Sequence, residues 1–215
     1  VSKPLVVVSA NIAGATGVRP LAEECDQSHP DAIGLNEVAS GSVRALRSIP
    51  AYRRPQLARV KGERFIGSMV RSNVIILNWW ILAMNLWWRY KDRRKKPREF
   101  IVERIKADQQ KWRVITVHFP TYGPNGVNRK AWMEAWNRLI DVILSADIPT
   151  AVVGDFNADF HEIKELTDRV PGLDAHDGTK VDHALGYNCT ILGRKVLDQP
   201  PGWHGFIRWR FRAEI

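Results

Sequence analysis

The chain has 215 residues, 45 % of them hydrophobic and 26 % charged, and a formal net charge of +9. That balance is a globular protein's, with enough chain for a core that needs no disulfide staple. Cys25 and Cys189 stand in no CxxC pair, which excludes a thiol-based metal site and a disulfide framework and reads as a reducing, cytoplasmic setting. The positive excess favours polyanionic partners, nucleic acid first and anionic lipid second.

Leu5–Ser9 is a short apolar run leading into polar residues, so it reads as a buried strand and not as a leader. Pro20 starts a helix with Leu21, Ala22 and Cys25 on one face, and Pro30 closes it. Ala32–Leu35 is a second buried strand, and Ser42 reads as the N-cap of a helix carrying Val43 and Leu46 that stops at Pro50. Val74–Leu77 and Ile81–Trp88 read as two strands. The span between Val74 and Trp88 is shorter than the ~20 residues a membrane helix needs, and Asn78 and Asn85 interrupt it. A basic run from Arg89 to Arg98 follows.

Phe100–Ala107 and Trp112–Phe119 form a hairpin around Asp108–Lys111. Asn128 opens the clearest helix, in which Trp132, Ala135, Trp136, Leu139, Ile140 and Ile143 recur at three- and four-residue steps. Ala151–Gly154 is another strand. Asp159 caps a short helix with Ile163 and Leu166, and Val181–Leu185, Thr190–Leu192 and Phe206–Phe211 complete the strands. So many strands with so few crossover helices predict two packed mixed sheets with helices outside, in one domain spanning 1–215.

Four of these strands end in residues able to handle a metal or a phosphate: Asn11, then Asn36 with Glu37, then His118, then Asp155 with Asn157. In Gly154-Asp155-Phe156-Asn157 the glycine permits a sharp turn, a carboxylate holds a hard cation or orients water, and an amide donates to a phosphate oxygen. The same residues also suit an Asx turn ahead of a helix.

Gly154-Asp155-Phe156-Asn157 resembles the GDFN signature of the endonuclease/exonuclease/phosphatase superfamily. Other motifs fall in that family's order. Ser9-Ala10-Asn11 resembles its first Asn motif, and Leu35-Asn36-Glu37-Val38 its LQEV motif with Asn for Gln. Thr116-Val117-His118-Phe119-Pro120 resembles THLP, Val181-Asp182-His183 resembles IDY, and His204 resembles the histidine of the terminal SDH motif. The resemblance runs from Asn11 to His204. It implies a four-layer α/β/β/α sandwich and a metal-dependent phosphodiesterase, an endonuclease or exonuclease with DNA favoured. It implies Mg²⁺ or Mn²⁺ on Glu37 with help from Asn11, His204 as general base oriented by Asp182, and Asp155 positioning water. Asn157 and His118 would meet the phosphate or the leaving group. These groups would offset the negative charge that develops as a phosphodiester is hydrolysed.

One position departs from the pattern. Trp203 stands where the family has the Asp preceding the terminal His, and an indole is only a donor. Asp198 is a candidate replacement; a weakly held, more hydrated metal and a catalytically impaired nucleic-acid-binding protein are the alternatives. A phospholipid or small-molecule phosphoesterase is the remaining one.

Tyr122 and Arg129 flank the loop after His118, and Arg129 at a helix start is placed to meet a phosphate. Arg98-Glu99 resembles a phosphate-contacting pair of the deoxyribonuclease branch. The basic run, with Trp79, Trp80, Trp87 and Trp88 around it, suits a nucleic-acid backbone, a membrane interface or simply a solvated loop. His183, next to Asp182 on a strand, should point the opposite way. No obligate protein partner and no transmembrane segment are expected.

Overall fold

The structure, a computed structural model, describes residues 3–12, 17–60, 64–83, 88–90, 93–95, 99–121, 125–126, 128–197 and 205–214. Its strands are β1 (Leu5–Asn11), β2 (Ala32–Ala39), β3 (Gln56–Val60), β4 (Arg64–Val70), β5 (Ile75–Ala83), β6 (Trp88–Tyr90), β7 (Arg93–Lys95), β8 (Glu99–Ala107), β9 (Gln110–His118), β10 (Thr150–Asp155), β11 (Leu173–Thr179), β12 (Asp182–Tyr187), β13 (Cys189–Val196) and β14 (Ile207–Ala213). Its α-helices are α1 (Val18–Ser28), α2 (Val43–Leu46), α3 (Arg129–Leu144) and α4 (Phe160–Thr167).

Two six-stranded sheets run in the orders β13-β14-β1-β2-β4-β3 and β11-β12-β10-β9-β8-β5. We call them the first and the second sheet. Each is antiparallel except for one central parallel pair, β1 with β2 and β10 with β9. A parallel pair needs a crossover, and α1 and α3 supply the two.

Alternation along each strand separates two faces. Val8, Ala10, Ile33 and Leu35 pack on α1 through Val18, Leu21 and Cys25. Val102, Ile115, Val117 and Val152 pack on α3 through Trp132, Trp136 and Leu139, and on α4 through Ile163. The opposite faces meet between the sheets, where Leu5, Val7, Trp112, Val114, Ala151, Val153, Trp209 and Phe211 form one cluster. The result is the expected α/β/β/α sandwich.

Local chemistry explains the helix ends. His29, in the left-handed region at φ 48°, closes α1 by donating its N–H to the Cys25 carbonyl, and Pro30 follows. Asp159 and Glu162 form a capping box on α4, as the sequence predicts for Asp159. The buried Arg113 guanidinium reaches across from β9 to the carbonyls of Val142 and Ile143 in the last turn of α3. Both cysteines are free and buried, and burial pushes each thiol up to about 12.

Some expectations need correction. Ser42 makes no side-chain cap, because it lies inside a 3-10 turn (Ser40–Ser42) with helical backbone of its own. Ile75–Ala83 is one strand and not the starts of two, since a bulge between Ile76 and Asn78 absorbs the polar interruption. Strands β3, β4, β6, β7 and β11 go unread in the sequence. Among the described residues no helix is long and apolar enough to cross a membrane.

Candidate active site

The space between the sheets changes character along its length. On β1 the inward positions run Leu5, Val7, Ser9, Asn11, and on β2 they run Ala32, Gly34, Asn36. On β9 they run Trp112, Val114, Thr116, His118, on β10 Ala151, Val153, Asp155, and on β12 Ala184 then Asp182. Every strand passes from apolar to polar in the same direction. The polar end lies where both parallel pairs finish, the place where open α/β sheets present ligands.

Register places these side chains side by side. In the first sheet Asn11 pairs with Asn36. In the second, Asp155 pairs with His118 on one side and with Asp182 on the other, a continuous row across three strands. Backbone bonds hold the ends: Ile12 N–H donates to the Asn36 carbonyl at 2.7 Å, Phe119 N–H to that of Asp155 at 2.8 Å, and Phe156 N–H to that of Val181 at 2.8 Å.

Strict alternation would turn Glu37 toward α1, away from this end. A bulge between Leu35 and Val38 prevents that. Leu35 and Val38 both enter the α1-side core, while Glu37, at φ 53°, is turned back toward the site. Its carboxylate lies 4.0 Å from His118 Nε2 and stays a quarter exposed, whereas Asp155 Oδ2 lies 3.5 Å from the same nitrogen and is buried. A protonated His118 is therefore within ion-pair range of two acids.

The GDFN segment uses each residue differently. Gly154 has φ 138°, and a Cβ there would come within 2.2 Å of the Val117 carbonyl and 3.1 Å of Asn36 Nδ2. Asp155 Oδ1 accepts the Asn157 N–H at 2.7 Å, an Asx turn, so one oxygen sets the loop while the other faces His118. Asn157, at φ 50°, donates through Nδ2 to the Phe119 carbonyl at 3.0 Å and ties the β9 and β10 ends together. Trp132 Nε1 donates to the Phe156 carbonyl at 2.8 Å, which brings the first turns of α3 to the same loop. Arg129, exposed, opens that helix.

Asp182 is buried, and the chain returns to it just before β14. A Cβ at Gly205 would lie 2.4 Å from Asp182 Oδ1, and Ser9 Oγ donates to the Gly205 carbonyl at 3.5 Å. His183 faces the other way, with Nε2 2.9 Å from the Ala158 carbonyl, and burial lowers its pKa. Tyr122, Arg98, Asp198, Trp203 and His204 lie outside the described residues.

Asn36 is named in the sequence only as a strand-end residue, and Glu103, nearer the apolar part, goes unread. Asn36 is buried with Oδ1 lacking a hydrogen-bond partner among the described residues; strand alternation from Ala32 through Gly34 is the signal that points to it. Glu103, 1 % exposed on β8, breaks an otherwise apolar inward run of Ile101 and Ile105. Burial pushes its carboxyl up to about 7, against a smaller opposing pull from the Ser68 hydroxyl on β4.

Solved structures similar to the chain cover its whole length. An endonuclease/exonuclease/phosphatase from Bacteroides vulgatus matches 99 % of this chain and 100 % of its own at TM-score 0.78 and 13 % identity. D. rerio TDP2 complexed with a single-strand DNA product matches 99 % and 100 % at TM-score 0.76 and 14 % identity. A mannosyl-6-phosphatase from Bacteroides thetaiotaomicron matches 97 % and 98 % at TM-score 0.72 and 12 % identity. The chain has the endonuclease/exonuclease/phosphatase fold. No family model matches it, and no curated protein matches it in sequence.

Within this fold the polar end offers oxygen donors to a hard cation. Asn11 is buried with an Oδ1 that has no hydrogen-bond partner among the described residues, and the re-aimed Glu37 carboxylate belongs to the same rim. No group of three or more His, Cys, Asp and Glu among the described residues is arranged as a metal cage. The donor set fits a cation that keeps most of its waters, as Mg²⁺ does, and does not fit a closed structural site.

Proposed function

We propose that the protein is a divalent-metal-dependent phosphodiesterase acting on nucleic acid, with DNA as substrate. The observation that carries this reading is the His118–Asp155–Asp182 row, set across three adjacent strands and opposed by Asn11, Asn36 and Glu37 from the other sheet. The +9 charge supports a polyanionic substrate, and one structure of the same fold holds a single-strand DNA product.

In this proposal Glu37 and Asn11 hold Mg²⁺ or Mn²⁺, which supplies charge to stabilise the phosphoryl oxygens when bound. His204, paired with Asp182, takes the proton of the attacking water. The water oxygen bonds to phosphorus, and the opposite P–O ester bond breaks. His118, beside Asp155 and Glu37, delivers a proton to the leaving oxygen. Asp155 orients the water through the oxygen not used by the Asx turn, Asn157 holds the loop and meets the phosphate, and Arg129 meets a flanking phosphate. Arg98 and Tyr122 are the remaining substrate contacts proposed on the resemblance.

A plasmid-nicking assay with Mg²⁺ or Mn²⁺, repeated with EDTA, tests this. The expected result is metal-dependent cleavage lost in Asp155→Ala and in His204→Ala. A second reading, a nucleic-acid-binding protein with an impaired site, is favoured by Trp203 at the position of the family's metal-ligand Asp. Binding of DNA without cleavage under either metal, and no heat of Mg²⁺ binding by titration calorimetry, would establish that second reading.

A further inference from the structure

β5 is the outer strand of the second sheet; Ile76 near its start packs between the sheets, and the side chains after it are more exposed. The last strand of the first sheet, β3, meets β8 instead, where Ala58 and Ile66 pack on Ile101. Beyond that contact β5 projects as a ledge. Trp79 and Ile81 pair with Glu103 and Ile101, inward-facing residues of β8, yet each is 38 % exposed. Leu77, in the bulge, is 47 % exposed, and Ile75 at the start of the strand 53 %. Trp80, by contrast, is occupied on the opposite face, with the Arg104 guanidinium 5.5 Å from its ring centroid.

The ledge runs directly into a cationic segment. Between residues 84 and 98 seven Lys and Arg stand against one Asp, and the β6–β7 hairpin carries Arg89, Arg93, Arg94 and Lys95. This segment joins Ala83 to Glu99, a register pair two residues beyond Ile101, which pairs with Thr116. That is the level of His118.

We propose that the β5 ledge is a docking surface for an anionic phospholipid bilayer, with the basic sequence that follows it in the chain supplying positive charge. Exposed aliphatic side chains beside a tryptophan and a Lys/Arg cluster are what an interface of acyl chains and anionic headgroups accepts. A single-stranded nucleic acid would use the tryptophan and the cations but leaves Leu77 and Ile81 with nothing to bury against, since bases stack on aromatic faces. Strand addition by a second copy meets two obstacles on the page. The bulge at Leu77 breaks the ladder, and the Trp79 N–H is already taken by Asn78 Oδ1 at 2.8 Å. The inference is independent of the phosphodiesterase reading.

The test is vesicle flotation of the full chain with phosphatidylcholine vesicles, with and without phosphatidylglycerol. Binding is expected only with phosphatidylglycerol and falls as salt rises. The triple variant Leu77→Ser, Trp79→Ser, Ile81→Ser should lose roughly tenfold or more in vesicle affinity while keeping the parent's circular dichroism spectrum at the assay temperature. Arg93→Gln, Arg94→Gln, Lys95→Gln should remove the salt dependence of vesicle binding and leave the salt slope of DNA binding as it was. Absence of vesicle binding, or binding unchanged in the triple variant, overturns the proposal. So does a triple variant that loses single-stranded DNA affinity instead, or that converts a dimer to a monomer in sedimentation. Cleavage of a small phosphodiester, measured in parallel, reports on the catalytic reading separately.

Discussion

The two ends of the layer between the sheets are built from the same strands and face the same way, yet they do opposite work. At one end Leu5, Val7, Trp209 and Phe211 fill space and exclude water. At the other, the next inward positions on those strands and their neighbours are Ser9, Asn11, Asn36, His118, Asp155 and Asp182. Burying polar groups costs stability unless they are bonded or used, so the polar end is tolerated because the apolar end stabilises the sandwich as a whole. Stability and chemistry are therefore segregated along each strand and not between different parts of the chain.

That segregation can be broken from either side. The largest expected effect is chemical: Asp155→Ala should lower metal-dependent phosphodiester cleavage on the order of 10⁴-fold, about 5 kcal/mol of barrier. Its melting temperature should stay close to the parent's, and a collapse of the fold in calorimetry would show that the two ends are not separable. From the apolar side, Trp209→Ala removes a fully buried side chain and should cost about 4 kcal/mol in urea unfolding, with turnover per folded molecule unchanged.

Glu103 sits where the two regimes meet. Its carboxyl ionises near 4.5 in the unfolded chain and about 7 in the folded one. Below both values it is neutral in both states and full stability is present. As pH rises between them only the unfolded chain takes on the charge, so stability falls, by about 3 kcal/mol in all, and is level above. Urea midpoints across that window should show the decline, and Glu103→Gln should flatten it. The smallest effect belongs to Gly205→Ala. The added methyl meets the Asp182 carboxylate and should cost about 2 kcal/mol together with a loss of cleavage. Unchanged cleavage there would detach Asp182 from the chemistry.

Much of this arrangement is legible in the chain, for identifiable reasons. The apolar period of α3 and the Asp159–Glu162 box on α4 are local signals, and both elements form where they point. The polar strand ends are equally local: Asn11, His118 and Asp155 each close an alternating run. What escapes the sequence depends on geometry it does not spell out. Glu37 faces the site only through a bulge in which a glutamate takes the left-handed backbone usually left to glycine. Nothing in its identity announces that. β4 holds Gly67 and Ser68 mid-strand, so its propensity is weak, and its inner partner β2 lies far back in the sequence. Ser42 has the side chain of a cap but the backbone of a turn. The row that joins His118, Asp155 and Asp182 is a matter of register among strands far apart in the chain, visible only once they are paired.

The shared pairing pattern of the two sheets has a consequence for how such a protein is divided. Each sheet is a half-molecule with its own parallel pair and its own crossover helix, and each stops at the same frontier with unlike equipment. One half brings amides and a single turned-out acid; the other brings an imidazole and two carboxylates. Neither inventory could run a hydrolysis alone. In the proposed hydrolysis the two inventories meet only at the seam between the halves.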